Sequence, residues 1–314
     1  MSWALAMAGA LALEAVLGWP DRLHRRIGHP VVWIGTLIDA LDARLNREGH
    51  PDAARIALGG LTALVVTSAA AGAGALVASA LPDGAAGLLF GAALSWPLVA
   101  ARSLFDHVAP VARALGARDL AAARTEVAKI VGRDPERLDA AGVARAGLES
   151  LAENASDGVT APLFWGALLG LPGIAGYKAI NTLDSMIGHR TARHALFGRA
   201  SARLDDAANW IPARLTGLAI ALVSARPRAA LAAMRRDARR HRSPNAGWPE
   251  AALAGALGVR LSGPRIYHDR IAEEPWLNGG APDPSASDMG RGLVLYLRAM
   301  ALVGAALAAA GLLW

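Results

Sequence analysis

Acids, amides and arginines crowd one stretch of the chain, from Glu149 to Arg214. A first polar cluster holds Glu149, Glu153, Asn154 and Asp157. A second starts at Asn181 and Asp184 and continues through Asp205, Asp206 and Asn209, with the apolar run 161–180 between the two. Polar groups this close to apolar segments cost free energy unless they are paired, hydrated or bound to a cation. That cost marks the stretch as a site.

The chemistry follows from the residue types. Glu149, Glu153 and Asp157 are spaced i, i+4, i+8, which places them on one face of an α-helix. Aligned carboxylates repel unless a cation sits among them. Oxygen ligands suit Mg²⁺, which takes one or two carboxylates plus substrate phosphates. The competing reading is a solvated face on which Arg145 pairs with Glu149. Asn181 and Asp184 lie one helical turn apart, with Gly188, His189 and Arg190 following; Asp205, Asp206 and Asn209 repeat the pattern, flanked by Arg203 and Arg214. Carboxylates, amides and guanidinium forks together suit a phosphate held through a metal and clamped by arginine. The stretch therefore reads as a nucleotide or phosphoester site.

Other chemistries drop out. The lysines are Lys129 and Lys178, and neither sits in a GxxxxGKS/T phosphate loop. With no cysteine, the chain has no disulfide, thiolate nucleophile or cysteine metal site. The histidines form no HExxH pair, and His189 and His194 do not share a helical face. There is no GxSxG elbow. His29 is the best functional histidine, with a helix cap as its structural counterpart.

The elements that position these residues belong in a bilayer. The 314 residues are 54% hydrophobic and 18% charged, with mean hydropathy +0.32. This fits an integral membrane protein with large water-facing loops. Trp3, Trp19, Trp96, Trp210 and Trp314 edge apolar runs, where interfacial anchors sit. The net charge is +6, and arginines flank the apolar runs, which favours the inner membrane face over nucleic acid as partner.

Trp3–Trp19, with Glu14 inside it, is expected to be a retained first span. The stretch 20–55 is a polar loop with a surface helix starting at about Pro30. Ile56–Leu81 and Gly84–Ala101 form a helical hairpin, kinked at Pro97. Arg102–Gly147 is a helical, water-facing segment, placed in the cytoplasm by its arginines.

The run 161–180 is broken by Pro162, Gly170, Pro172, Gly173 and Gly176, so a re-entrant pair of half-helices or a kinked crossing is expected. Ile211–Ala225 is short, and Arg226–Arg242 is basic and inside. The favoured topology has neither 161–180 nor 211–225 crossing fully. Leu293–Trp314 is the last span and carries Arg298. The expected fold is one all-α, polytopic domain over 1–314, with about 4–6 membrane helices, re-entrant or broken segments and cytoplasmic helical loops.

Joined together, the motifs resemble the adenosylcobinamide-phosphate synthase family of cobalamin biosynthesis, CobD/CbiB. The matching strings are HPVVWIG at His29–Gly35, IVGRD at Ile130–Asp134 and RAGLESLAENASDGVTAPLFWG at Arg145–Gly166. YKAINTLDSMIGHR follows at Tyr177–Arg190, then ARLDDAANWIPAR at Ala202–Arg214 and SPNAGWPEAALAGALGVRL at Ser243–Leu261. They cover most of the chain in order. Glu14 departs from an expected Asp, and His189 from an expected aromatic.

The resemblance implies an inner-membrane ligase with its site facing the cytoplasm. It would join adenosylcobyric acid to (R)-1-amino-2-propanol phosphate, or the free amino alcohol, through an acyl phosphate, using ATP and Mg²⁺. It implies that Glu153, Asp157, Asp184 and Asp205 or Asp206 hold Mg²⁺ on the nucleotide phosphates. Arg190, Arg203 and Arg214 would contact phosphates or developing charge, and Lys178 would neutralise phosphate. Asn154, Asn181 and Asn209 would orient substrate, with His29, Ser185 and Asn245 completing the binding set. Trp165, Trp210 or Trp248 would wall the corrin. The implied partners are the corrinoid, the amino alcohol phosphate, the bilayer and other enzymes of the pathway, with no nucleic acid. Two alternatives stay open. One is a ligand-binding signalling protein resembling the AmpE family; the other is a membrane alkyl- or phosphotransferase.

Overall fold

Apolar periodicity becomes helix nearly throughout the computed structural model, which describes residues 1–20, 25–26, 28–131, 135–189, 191–267 and 270–313. The expected all-α membrane architecture is present. Four stretches, 52–79, 84–116, 140–188 and 286–313, are long and apolar enough to cross a bilayer. The chain packs as two compact units, each built from discontinuous segments. The first contains Met1–Ala100, Ala161–Asn209 and Gly304–Trp314; the second contains Ala101–Thr160 and Trp210–Val303.

In the first unit, α1 (Trp3–Leu17), α2 (Pro30–Leu45), α3 (Asp52–Ser79) and α4 (Gly84–Ser95) surround α8 (Ala161–Leu183). Helix α1 has 15 residues and ends at Gly18. At about 1.5 Å per residue it is shorter than a hydrocarbon core of about 30 Å, so the expected first span falls short. Helix α2 starts at Pro30 as expected. The kink expected at Pro97 is a break, because α4 ends at Ser95 and Trp96–Leu98 tighten into a 3₁₀ turn.

The interruption expected in 161–180 is present inside α8. Gly170 has φ 70° and ψ −152°, splitting the helix in two. Only glycine takes that conformation without strain, and the Trp3 indole fills the space where a Cβ would stand. The favoured non-crossing topology meets a counter-finding in the 140–188 stretch, whose length and hydropathy suffice for a crossing. Beyond α8, Asp184–Gly188 wind as a π-helix, and α9 (Arg199–Ala208) follows. Ile38, Ala63, Val66, Ala179, Leu183, Ile187 and Phe197 form a buried core beneath them.

In the second unit, α5 (Ala101–Gly116) buries an i, i+4, i+7, i+11 stripe of Leu104, Val108, Val111 and Leu115. Helix α6 (Leu120–Ala128) packs on it. Helix α7 (Ala140–Asn154) departs from the water-facing expectation, because residues 142–144 and 146–152 are all buried. Residues 155–160 continue α7 as a π-helix.

Helices α10 (Trp210–Val223) and α11 (Pro227–Asp237) pack against α12 (Gly247–Leu257). Two short antiparallel pairs follow: β1 (Leu261–Ser262) with β4 (Trp276–Leu277), and β2 (Arg265–Tyr267) with β3 (Arg270–Ala272). Helix α13 (Ala286–Leu313) starts in this unit, and its last turns, from Gly304, belong to the first.

Candidate functional site

The residues chosen from the sequence fall into both units. Asp184, Asp205, Asp206, Arg203, Lys178, His29, Asn181, Ser185 and Asn209 lie in the first, and Glu153, Asn154, Asp157, Arg214 and Asn245 in the second. Arg190 lies outside the described residues.

The first unit brings its acids together at the end of α8 and on α9. Asn209 is buried and central. Its Oδ1 accepts from the Tyr177 hydroxyl at 2.8 Å, and its Nδ2 donates to Asp205 Oδ2 at 3.0 Å. The other carboxylate oxygen, Asp205 Oδ1, is buried and meets no hydrogen-bond donor among the described residues. Burial first, and then the neighbouring charges of Asp184 and Asp206, push the Asp205 carboxyl up to about 7; the Asn209 and Asn181 amides offset this in part.

Trp165 Nε1 donates to Ala208 O at 3.0 Å, anchoring the end of α9. Asp184 lies against Gly188, where a Cβ would collide with its carboxylate. The π turn Asp184–Gly188 and a glycine at its end thus let the carboxylate fold back on the backbone.

Other first-unit candidates are more peripheral. Arg203 and Asp206 form an exposed i, i+3 pair at 3.7 Å, of a kind that contributes little to stability. Ser185 Oγ donates to Asn181 O at 2.9 Å, and Lys178 is half-buried. His29 has the structural role weighed for it: its Nδ1 accepts from Val31 N at 3.2 Å as the α2 cap, and its ring meets Trp19 edge-on at 5.0 Å.

Sequence reasoning missed the clasp that holds the segment between Gly188 and α9. Asp42 accepts from Arg193 Nη2 at 2.6 Å and from Asn46 at 2.8 Å, with His194 Nε2 at 3.3 Å. Tyr177 was missed too. Its place inside an apolar run gave no sign that its hydroxyl would meet Asn209.

In the second unit, the aligned acidic face does not form. Glu149 is buried, and its Oε1 accepts from Ser262 N at 2.8 Å, tying α7 to β1. Arg145 pairs with Asp283 at 2.9 Å instead of Glu149. Glu153 and Asn154 are exposed and Asp157 half-buried. The π-helix over 155–160, with its wider turn, takes Asp157 off the α-helical register of the other two.

Arg214 is stacked between two indoles, its guanidinium carbon 4.1 Å from the Trp210 ring centroid and 4.4 Å from that of Trp248. Asn245 is buried in a turn where its N–H donates to Ser243 Oγ at 3.2 Å. Beneath that turn, His241 Nε2 stands 3.7 Å from Glu250 Oε1, both side chains buried.

Among the described residues, no group of three or more Asp, Glu and His side chains stands ready to hold a metal ion. The geometry fits a more modest demand. One buried, donor-free oxygen on Asp205, with two further acids acting on it, suits a cation that completes its shell with phosphate oxygens and water.

Comparison with known proteins gives an independent line. The family profile described as "CobD/Cbib protein" matches residues 7–296. A relative named cobalamin biosynthesis protein CobD, from Rhodobacter capsulatus, is 60% identical over 314 residues, covering 100% of this chain and 99% of its own. Proteins of the same name from Brucella suis and Rhizobium meliloti are 46% and 45% identical, each covering 98% of this chain and 97% of their own. No solved structure matches the chain.

Proposed function

This chain belongs to the CobD/CbiB family, and we propose that it works in cobalamin biosynthesis as an ATP-dependent amide ligase of the inner membrane. It joins adenosylcobyric acid to (R)-1-amino-2-propanol phosphate, or to the free amino alcohol, and its site faces the cytoplasm. The observation that carries this reading is the Tyr177–Asn209–Asp205 chain, which presents a carboxylate oxygen without a donor among the described residues, beside Asp184 and Asp206.

The substrate carboxylate is a poor electrophile. In the proposed route its oxygen attacks the γ-phosphorus of ATP, ADP leaves, and an acyl phosphate forms. The amine nitrogen then attacks the acyl carbon, the C–O bond to phosphate breaks, and the amine gives up a proton. No protein nucleophile is needed, so the protein contributes positioning and charge neutralisation.

Asp205 would hold Mg²⁺ through that oxygen, with Asp184 and Asp206 adding negative charge beside it and phosphate oxygens and water completing the shell; the ion when bound neutralises phosphate charge. Asn209 fixes the Asp205 carboxylate, and Tyr177 fixes Asn209. Arg203 is exposed and weakly paired, so it is available to a phosphate. Lys178, Asn181 and Ser185 line the end of α8 and the π turn beyond it. In the second unit, Glu153, Asn154 and Asp157 keep their assignment as oxygen and amide donors. Arg214, stacked on its two indoles, would be that unit's anion clamp.

The test is reconstitution of the full chain in detergent with cobyric acid, Mg²⁺-ATP and aminopropanol phosphate, read by product mass and ADP release. Amide product dependent on ATP is expected. Ligand binding without product would replace the ligase reading with a binding protein, and a product lacking the new amide would replace it with a transferase.

A further inference from the structure

Helix α13 carries a charge that the proposed reaction does not use. Its charged residues are Asp288, Arg291 and Arg298. Asp288 pairs with Arg291, whose guanidinium also donates to Leu257 O at 3.1 Å. Arg298 has no carboxylate within ion-pair distance among the described residues, although it sits in a stretch long and apolar enough to cross a bilayer. An uncompensated cation in such a helix is costly unless it reaches an anion or water.

The surface around it is concave. Ala256, Leu257, Val294 and Leu295, with Arg291 and Arg298, line a groove of about 430 Å³ in the second unit. Its walls are mainly apolar. Arg291 and Arg298 are seven residues apart and share a face. Val294 and Leu297 on the same helix are 47% and 50% exposed, so apolar side chains flank the arginine on the outside. The unbroken apolar run begins at Leu293, five residues before Arg298, or about 7 Å along the axis. An arginine stem spans that depth and brings its guanidinium to the headgroup level.

We propose that this groove binds the headgroup of one acidic phospholipid, its phosphate on Arg298, with an acyl chain running past the exposed Leu297 down the apolar face of the helix. Charge complementarity selects the occupant, since a neutral apolar ligand would leave Arg298 uncompensated and a soluble anion would leave the apolar walls bare. The site is independent of the ligase reaction.

The experiment is native mass spectrometry of the full chain released from phosphatidylcholine nanodiscs doped with phosphatidylglycerol. Preferential retention of phosphatidylglycerol is expected. Arg298→Gln should lower it about fivefold, the order expected for one surface arginine, and Arg298→Lys should keep most of it. Ala256→Phe, which fills the groove and leaves the charge, should also lower retention. Equal retention of both lipids, or unchanged retention in Arg298→Gln, overturns the proposal. Displacement of the lipid by inorganic phosphate would make this a soluble-anion site, and a doubled mass with no lipid would make it a contact between copies; either result overturns it.

Discussion

Asn209 gives its amide to one oxygen of Asp205, at 3.0 Å, and leaves the other oxygen buried without a donor among the described residues. An amide fixed from behind by Tyr177 thus sets the direction in which a carboxylate looks. Asp205 carries a pKa near 7, well above the usual carboxylate range, first because of burial and then because of Asp184. The folded chain therefore keeps a proton there that the unfolded chain releases at about 4. Stability should fall as pH rises from about 4 to 7 and level off above that. Thermal midpoints in detergent check this, with Asp205→Asn flattening the slope. If Mg²⁺ binds the ionised group, its affinity should rise with pH up to about 7 and plateau, and Asp205→Asn should abolish Mg²⁺ stabilisation at pH 8. A wild-type Mg²⁺ effect in that variant would remove Asp205 from the metal site.

Tyr177→Phe removes the hydroxyl and leaves Asn209 Oδ1 buried without its donor, which costs about 1–3 kcal/mol. Because the Asn209 amide is then free to turn, turnover should fall more than the midpoint explains. Parallel measurement of midpoint and initial rate separates the two effects; an intact rate in a destabilised variant would make Tyr177 purely structural.

Gly170→Ala forces a side chain into a glycine-only backbone conformation and against the Trp3 indole. A loss of about 2 kcal/mol or more is expected. Gly72→Ala is the control. Gly72 sits inside α3 with open space around it, so alanine should be neutral or stabilise by up to about 1 kcal/mol. Equal effects of the two changes would deny the break in α8.

Arg214 owes its orientation to Trp210 and Trp248. Lysine keeps the charge but neither stacks nor presents a fork. Arg214→Lys and Trp248→Ala should each raise KM for an anionic substrate several-fold with little change in kcat, the order of one cation–π contact of about 1 kcal/mol. A fall in kcat at constant KM would place Arg214 with the reacting groups instead.

Burial raises the Asp42 carboxyl, but hydrogen bonds from Asn46, Arg193 and His194 and the Arg193 charge outweigh it, so its pKa lies below the ordinary value. Its contribution is complete above the unfolded pKa and is lost as pH falls through the folded one. Asp42→Asn should lower the midpoint at pH 7 and remove part of the acid-side decline below pH 4. Protease sensitivity should rise between residues 191 and 198, around the Arg193 and His194 contacts of this clasp. Unchanged proteolysis would show that the segment is held elsewhere.

Much of the fold was legible because its signals are local. The 3.6-residue stripe of α5, the Pro30 start of α2 and the break at Gly170 each depend on a few neighbours in the chain. The family was legible for a related reason, since strings such as NTLDSMIGHR and ARLDDAANWIPAR carry it without any coordinates.

Roles within the site were less legible. Glu149, Glu153 and Asp157 are equivalent on an ideal α-helix, yet a π segment and the approach of β1 buried the first, exposed the second and took the third out of register. Arg145 preferred Asp283, which is 138 residues away.

The sequence by itself determined helices, hydrophobic spans, the choice of acids, amides and arginines, and the family to which they belong. Only the tertiary structure decided which carboxylate is tied to backbone, which keeps an oxygen without a donor, and which hydroxyl stands behind it. The physical reason is that hydrogen-bond satisfaction and desolvation depend on what distant segments bring within about 3 Å, and periodicity along one segment holds no record of that.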